Sequence, residues 1–330
     1  MTAAERRRAW LLGLAVAGLH VAGFGVLLGL VARRHLPGFP VGIGITAYTL
    51  GLRHAFDADH IAAIDNTTRK LMGEGRRPLS VGFWFSLGHS SVVLALSLLL
   101  ACGVRALAGQ VSDGGSALQV VTGAVGTTVS GTFLLAIGLV NLAMLSGVTR
   151  AVRALRSGAS EAEVERLLTP RGPISALTGR LGRRITAPWQ MYPLGLLFGL
   201  GFDTATEVAL LFLAAGAAFG GLPAYAILCL PILFAAGMSL LDTLDGAFMA
   251  FAYGWAFAKP VRKLYYNLTV TGLSVAVALA IGSLELLSAL GVARVDLGDV
   301  GYLMVGLFAL TWLVAVAVWR LGRIEQRWAP

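Results

Sequence analysis

Five ionisable side chains crowd the eight residues Arg53–His60: Arg53, His54, Asp57, Asp59 and His60, with Asp65 just beyond. They interrupt an apolar run that begins near Val41. A charge at bilayer depth costs about 2.5 kcal/mol or more unless something compensates it. Such a cluster is therefore read first as functional, and its residue types point to metal. Imidazole with carboxylate is a donor set for divalent transition ions. A helix advances about 100° per residue, which puts Asp57 about 60° and His60 about 120° from His54, so Asp57 bisects the two histidines. One straight helix would offer the three to a single ion only loosely. Either the helix is distorted here, or other helices complete the site. Asp59 points away from Asp57, and would stand behind a histidine or face another cavity. The competing reading is a set of core polar residues that satisfy one another through salt bridges.

Other polar groups fall inside apolar runs. His89 is flanked by Ser86, Gly88, Ser90 and Ser91, a small-residue face that lets helices approach closely. It is either a further ligand or a satisfied packing residue. Asp203 and Glu207 lie four residues apart, with Thr204 and Thr206 between them, and share a helix face. Asp242 and Asp245 lie three apart and do the same. Paired carboxylates on a buried face suggest a cation path or a proton-bearing pair. His20, alone in the first span, is read as a core hydrogen-bonding group before a ligand.

Four motifs occur in order between about residue 50 and residue 246. They are Arg53-His54-Ala55-Phe56-Asp57-Ala58-Asp59-His60-Ile61, Leu87-Gly88-His89-Ser90-Ser91-Val92-Val93, Leu200-Gly201-Phe202-Asp203-Thr204-Ala205-Thr206-Glu207, and Gly237-Met238-Ser239-Leu240-Leu241-Asp242-Thr243-Leu244-Asp245. Together they closely resemble the signatures of the nickel/cobalt transporter (NiCoT) family of secondary permeases. The resemblance implies a polytopic permease that carries Ni2+ or Co2+ inward. The metal would be the transported substrate, with no permanent cofactor.

Composition agrees with a membrane protein. The 330 residues are 57% apolar and 13% charged, against about 25% charged in soluble domains. A net charge of +9 would suggest nucleic acid in a soluble chain. Here the placement of the charges explains it better, and the partners expected are a metal ion and the bilayer. Windows of about 20 apolar residues mark eight spans near 10–31, 41–64, 80–104, 120–148, 191–218, 224–257, 264–290 and 301–319. The fourth and sixth are long, so they tilt, break or protrude. Pro231, Gly237, Asp242 and Asp245 favour a broken sixth helix. The run after Arg6-Arg7-Arg8 is too long for a cleaved leader and reads as a retained span. With both ends in the cytoplasm, 21 basic residues face inside and four outside, while Arg53 lies in the membrane. That split is a strong orientation signal.

The expected fold is thus all-α and polytopic, a single transmembrane domain over 1–330. Residues 1–148 form one half and 191–330 the other, joined by a basic cytoplasmic linker over 149–190. Within the linker, Ser160 to Leu168 reads as a short helix with a capping box. Cys102 and Cys229 show no Cys-x-x-Cys spacing and imply no disulfide framework. Spans two to four echo spans five to seven. Phe56-Asp57-Ala58 matches Phe202-Asp203-Thr204, and the run from Phe85 to Ser90 matches that from Phe234 to Ser239. The opposed directions of the paired spans predict an inverted repeat.

Primary metal ligands are expected from His54, Asp57, Asp59, His60 and His89. Arg53, Asp65, Asp203, Thr204, Glu207, Asp242 and Asp245 are expected to line the path or support the ligands. No Walker A pattern occurs, so the membrane potential or proton coupling would drive transport. Two rivals are a membrane enzyme using His54 and Asp59 as the His-x4-Asp pair of acyltransferases, and a metal exporter of related fold. The absence of a histidine-rich tract argues against the histidine-rich loop of some exporters.

Overall fold

The structure is a computed structural model that describes residues 3–32, 41–102, 115–157, 185–200, 205–219, 224–256, 260–292 and 300–321. The described residues are helices joined by turns, with no strand. In chain order they are α1 (Ala3–Ala32), α2 (Val41–His54), α3 (Ala58–Gly73), α4 (Val81–Ala101), α5 (Ala117–Arg156), a 3-10 turn at Pro188–Gln190, α6 (Met191–Gly199), α7 (Ala205–Phe219), α8 (Ala224–Ile227), α9 (Cys229–Ala256), α10 (Pro260–Ala289) and α11 (Val300–Leu321). The linker helix expected over Ser160–Leu168 lies outside the described residues, as do Asp203, Thr204 and His35.

Five helices among the described residues are long and apolar enough to cross a membrane, with windows at Glu5–Leu30, Val81–Ala101, Val120–Gly147, Tyr225–Gly254 and Thr271–Ala289. The second and fifth expected spans are each represented by two shorter helices, α2 with α3 and α6 with α7. The pairing α2–α3 has a local cause. After His54 the backbone makes tight bonds from Phe56 N to Arg53 O and from Asp57 N to His54 O. Asp57 is then extended (φ −65°, ψ 141°) as the N-cap of α3, a position Asp favours. Its side chain makes no capping bond and turns to His54 instead. α11 closes over this break. Gly301 lies against the Phe56 carbonyl, where no Cβ would fit, and Tyr302 stacks on Phe56 with ring centroids 5.0 Å apart.

The sixth span is interrupted once, at Leu228 between α8 and α9 just before Pro231, and not at Gly237, Asp242 or Asp245. α9 runs unbroken from Cys229 to Ala256 through Gly237, Asp242 and Asp245. Pro231 stands in its first turn, where the missing N–H breaks no intrahelical bond. The fourth span is one helix of 40 residues, about 60 Å long at 1.5 Å per residue, twice what a bilayer core needs.

Glycines set the closest helix contacts, and they do so twice in the same way. A Cβ at Gly51 in α2 would strike the Phe234 carbonyl of α9, and one at Gly237 in α9 would strike the Tyr48 carbonyl of α2. Likewise a Cβ at Gly195 in α6 would strike the Phe85 carbonyl of α4, and one at Gly88 would strike the Tyr192 carbonyl of α6. Tyr48 and Gly51 correspond to Tyr192 and Gly195, and Phe85 and Gly88 to Phe234 and Gly237. Each half therefore docks its first short helix on the other half's long helix through a Tyr-x-x-Gly against a Phe-x-x-Gly. One apolar cluster gathers Ile61, Ile64, Leu71, Phe85 and Leu134. A second gathers Leu27, Leu211, Leu230, Leu233 and Phe234. The polar centre sits where α2, α3, α4, α7 and α9 converge.

Candidate metal-binding site

Three histidines from three helices meet there. His54 ends α2, His60 lies in the first turn of α3, and His89 is mid-way along α4. All are buried. Their ring centroids form a near-regular triangle, 4.6 Å from His54 to His60, 4.7 Å from His54 to His89 and 4.9 Å from His60 to His89. One nitrogen from each lies within 4.8 Å of the others. The helix break makes this possible, because it turns His54 and His60 toward one point that a straight helix would miss.

Each histidine has a carboxylate. Asp57 Oδ2 lies 2.6 Å from His54 Nδ1, and the Thr206 hydroxyl lies 3.0 Å from the same nitrogen. Asp242 Oδ2 lies 3.3 Å from His60 Nδ1. Glu207 Oε1 lies 2.6 Å from His89 Nε2 and 3.9 Å from His54 Nε2. The Asp242 carboxylate on His60 Nδ1 fixes that tautomer and turns the Nε2 lone pair inward, as behind metal-ligating histidines, whereas Glu207 meets His89 at Nε2, the nitrogen that faces His54. His60 Nε2 has no hydrogen-bond partner among the described residues. His54 Nε2 and His89 Nε2 face each other at 2.9 Å. Two ligand nitrogens about 2.1 Å from one ion, at right angles to each other, would be about 3 Å apart. The histidine set could hold a divalent ion with little rearrangement, and Glu207 stands close enough to join as an oxygen donor.

Aromatic rings wall the cluster. His60 meets the Phe85 ring edge-on at 4.7 Å, and His54 lies 5.5 Å from the Phe234 ring. These are the two phenylalanines that correspond between the halves. In the sequence Thr206 stands out only as a neighbour of Glu207; spacing alone gives no signal that its hydroxyl reaches His54.

The remaining expected site residues are placed elsewhere. Asp59 is half-buried, and its Oδ1 accepts the His60 backbone N–H at 2.9 Å. It supports the start of α3 and lies close enough to interact electrostatically with His54, His60 and Asp242. Arg53 is half-buried beside the break, and Asp245 is half-buried one turn beyond Asp242. Asp65 lies farther along α3 and binds Arg69. Arg69 and Lys70, loop charges by hydropathy, are both 2% exposed. Their helix continues to Gly73 and stays buried through Met72, so the loop begins later than hydropathy suggests. His20 packs on Tyr48, its Nε2 3.2 Å from the phenol oxygen and its Nδ1 2.9 Å from Val16 O. Cys102 is exposed and Cys229 is buried, and both are free thiols outside the cluster. An apolar cavity of about 470 Å3 between α5 and α6 takes none of the histidines.

A polytopic helical protein with a buried triangle of histidines beside carboxylates is a membrane protein equipped to hold a cation among its helices. Known proteins agree and go further. Residues 41–318 match the family model of the high-affinity nickel-transport protein. The chain is 55% identical to the nickel transporter NicT of Mycobacterium tuberculosis, an alignment covering 100% of this chain and 93% of that protein. It is 47% identical to the nickel transporter NixA of Staphylococcus aureus, covering 98% of each. It is 41% identical to the cobalt transport protein NhlF of Rhodococcus rhodochrous, covering 96% of this chain and 93% of that one. No solved structure matches. The chain belongs to the high-affinity nickel-transport family and is a membrane transporter. An acyltransferase reading fails on this family membership. It also fails on geometry, since the carboxylate at His54 is Asp57 and not Asp59.

Proposed function

We propose that the protein imports Ni2+ or Co2+ across the cytoplasmic membrane, binding the ion at His54, His60 and His89. The observation that carries this reading is the convergence of the three rings, each beside a carboxylate, in a buried centre. Asp57 and Asp242 orient His54 and His60, and Glu207 bridges His54 and His89. Relatives named for nickel and for cobalt support either ion as cargo. Import down the membrane potential gains about 2.3 kcal/mol per charge per 100 mV, hence twice that for a divalent ion. Eight crossings with both ends of the chain inside fit the basic residues. Setting aside the buried Arg69 and Lys70, 19 still face inside against four outside. The reciprocal Tyr-x-x-Gly and Phe-x-x-Gly contacts support an inverted repeat of spans two to four with five to seven.

The direct test is metal uptake by cells expressing variants whose membrane level is checked by immunoblot. His54→Ala and His60→Ala should each abolish Ni2+ and Co2+ accumulation at normal protein level. Near-normal uptake by the double variant would end the proposal.

A further inference from the structure

Below His60, α3 carries the run Asp65-Asn66-Thr67-Thr68-Arg69-Lys70, and every member is 2% exposed or less. A helix polar on all sides normally faces water. This one is enclosed by α5, α9, α10 and α11. Lys70 is tied to the Ile185 carbonyl and Glu74, and the other charges to neighbouring helices. The Asp65 carboxylate accepts Tyr253 Oη–H of α9 at 2.6 Å, the Ser274 hydroxyl of α10, and the Arg69 guanidinium. Arg69 Nε donates to Tyr253 Oη at 3.1 Å and Nη1 to the Thr271 carbonyl at 3.5 Å. Asn66 receives Asn141 of α5 at 2.8 Å. One residue pair, Asp65 with Arg69, thus staples α3 to α9 and α10.

The staple stands at the end of a line of carboxylates. Asp242 touches His60. Asp245 follows one turn along α9 and interacts electrostatically with both Asp242 and Asp65. On the inward reading, a cation leaving the histidines would pass Asp242, then Asp245, then Asp65. The last of these is already occupied by a cation of the protein itself.

We propose that Arg69 is the cytoplasmic gate of the carrier, a tethered guanidinium that holds Asp65 and keeps α3 closed on α9 and α10 until the departing ion displaces it. The proposal rests on the inward direction argued above. Arginine suits the role because its fork satisfies a carboxylate, a phenol and a carbonyl at once and never loses its charge.

The gate can be read without metal. In a chain with Cys102 and Cys229 replaced by Ala, a single reporter thiol is introduced by Ala62→Cys, at a position fully buried between His60 and Asp65. A second chain carries Ala278→Cys instead, at an equally buried position in α10. Labelling by a membrane-impermeant maleimide is followed in inside-out vesicles. Arg69→Gln alone would leave Asp65 buried and unpaired and could unfold the protein, so the informative background is the neutral pair Asp65→Asn/Arg69→Gln. The labelling rate follows the open fraction, so the thiol at position 62 should label about tenfold faster or more in that background, while the thiol at position 278 stays protected. Unchanged labelling at position 62 in a monodisperse variant overturns the gate. Equal gain at position 278 overturns it too, since the pair would then only hold the bundle together. If the parent chain fails to accumulate Ni2+ in cells, the import reading falls separately, whatever the labelling shows.

Discussion

At the scale of single residues, the histidines differ less in what they are than in which carboxylate meets each, and at which ring nitrogen. His54 has Asp57 from the adjacent turn, His60 has Asp242 from α9, and His89 has Glu207 from α7. Removing such a partner typically weakens metal binding about 10- to 100-fold. Glu207→Gln and Asp242→Asn should each show a loss of that size in Ni2+ titrations of purified protein. Asp59→Asn should lose far less, because that carboxylate holds a backbone N–H at the start of α3. Equal losses at Asp59 and Glu207 would mean that Asp59 enters the site after all.

At the scale of elements, the site exists because helices come closer than ordinary side chains permit. Gly88 and Gly195 bring α4 against α6, and Gly51 and Gly237 bring α2 against α9, with carbonyls of the partner in the space a Cβ would need. Overpacking such a contact costs about 1–3 kcal/mol. Gly88→Ala and Gly195→Ala should therefore lower the detergent-solubilised melting temperature by several degrees and reduce metal binding together, since α4 carries His89. Gly216→Ala should leave both unchanged or slightly raise stability, because nothing lies within 4 Å of its added carbon and alanine is the better helix former. A destabilised Gly216→Ala beside a neutral Gly88→Ala would contradict this packing.

At the scale of the whole molecule, the two halves embrace. The first short helix of each docks on the long helix of the other, and the histidines lie between Phe85 and Phe234, one from each half. Were the halves the inverted repeat proposed above, rocking one against the other would expose the centre to either face. Orientation comes from charge. Reporter fusions at positions 110, 170 and 325 should report outside, inside and inside. A different pattern at any of the three would mean that a crossing has been miscounted.

Much is legible in the chain itself. Apolar runs and sparse charge determine a helical membrane protein, because transfer of side chains to lipid is read one residue at a time. Ionisable groups that the bilayer penalises mark their own importance, which is how His54, Asp57, His60, His89, Glu207 and Asp242 stand out. Asp57 even carries a helix-start signal, though continuous hydropathy across Val41 to Ile64 hides it. Partner choice was not legible. Glu207 and His89 are 118 residues apart and Asp242 and His60 are 182, and face periodicity within one helix says nothing about which face of another helix it meets. Tertiary structure alone decided those pairings, through the glycine contacts that set how near and at what rotation the helices lie. It also decided that Arg69 and Lys70, loop charges by sequence, are enclosed. A charge's cost in the membrane depends on its bonding partners, and for Arg69 these include groups from two other helices.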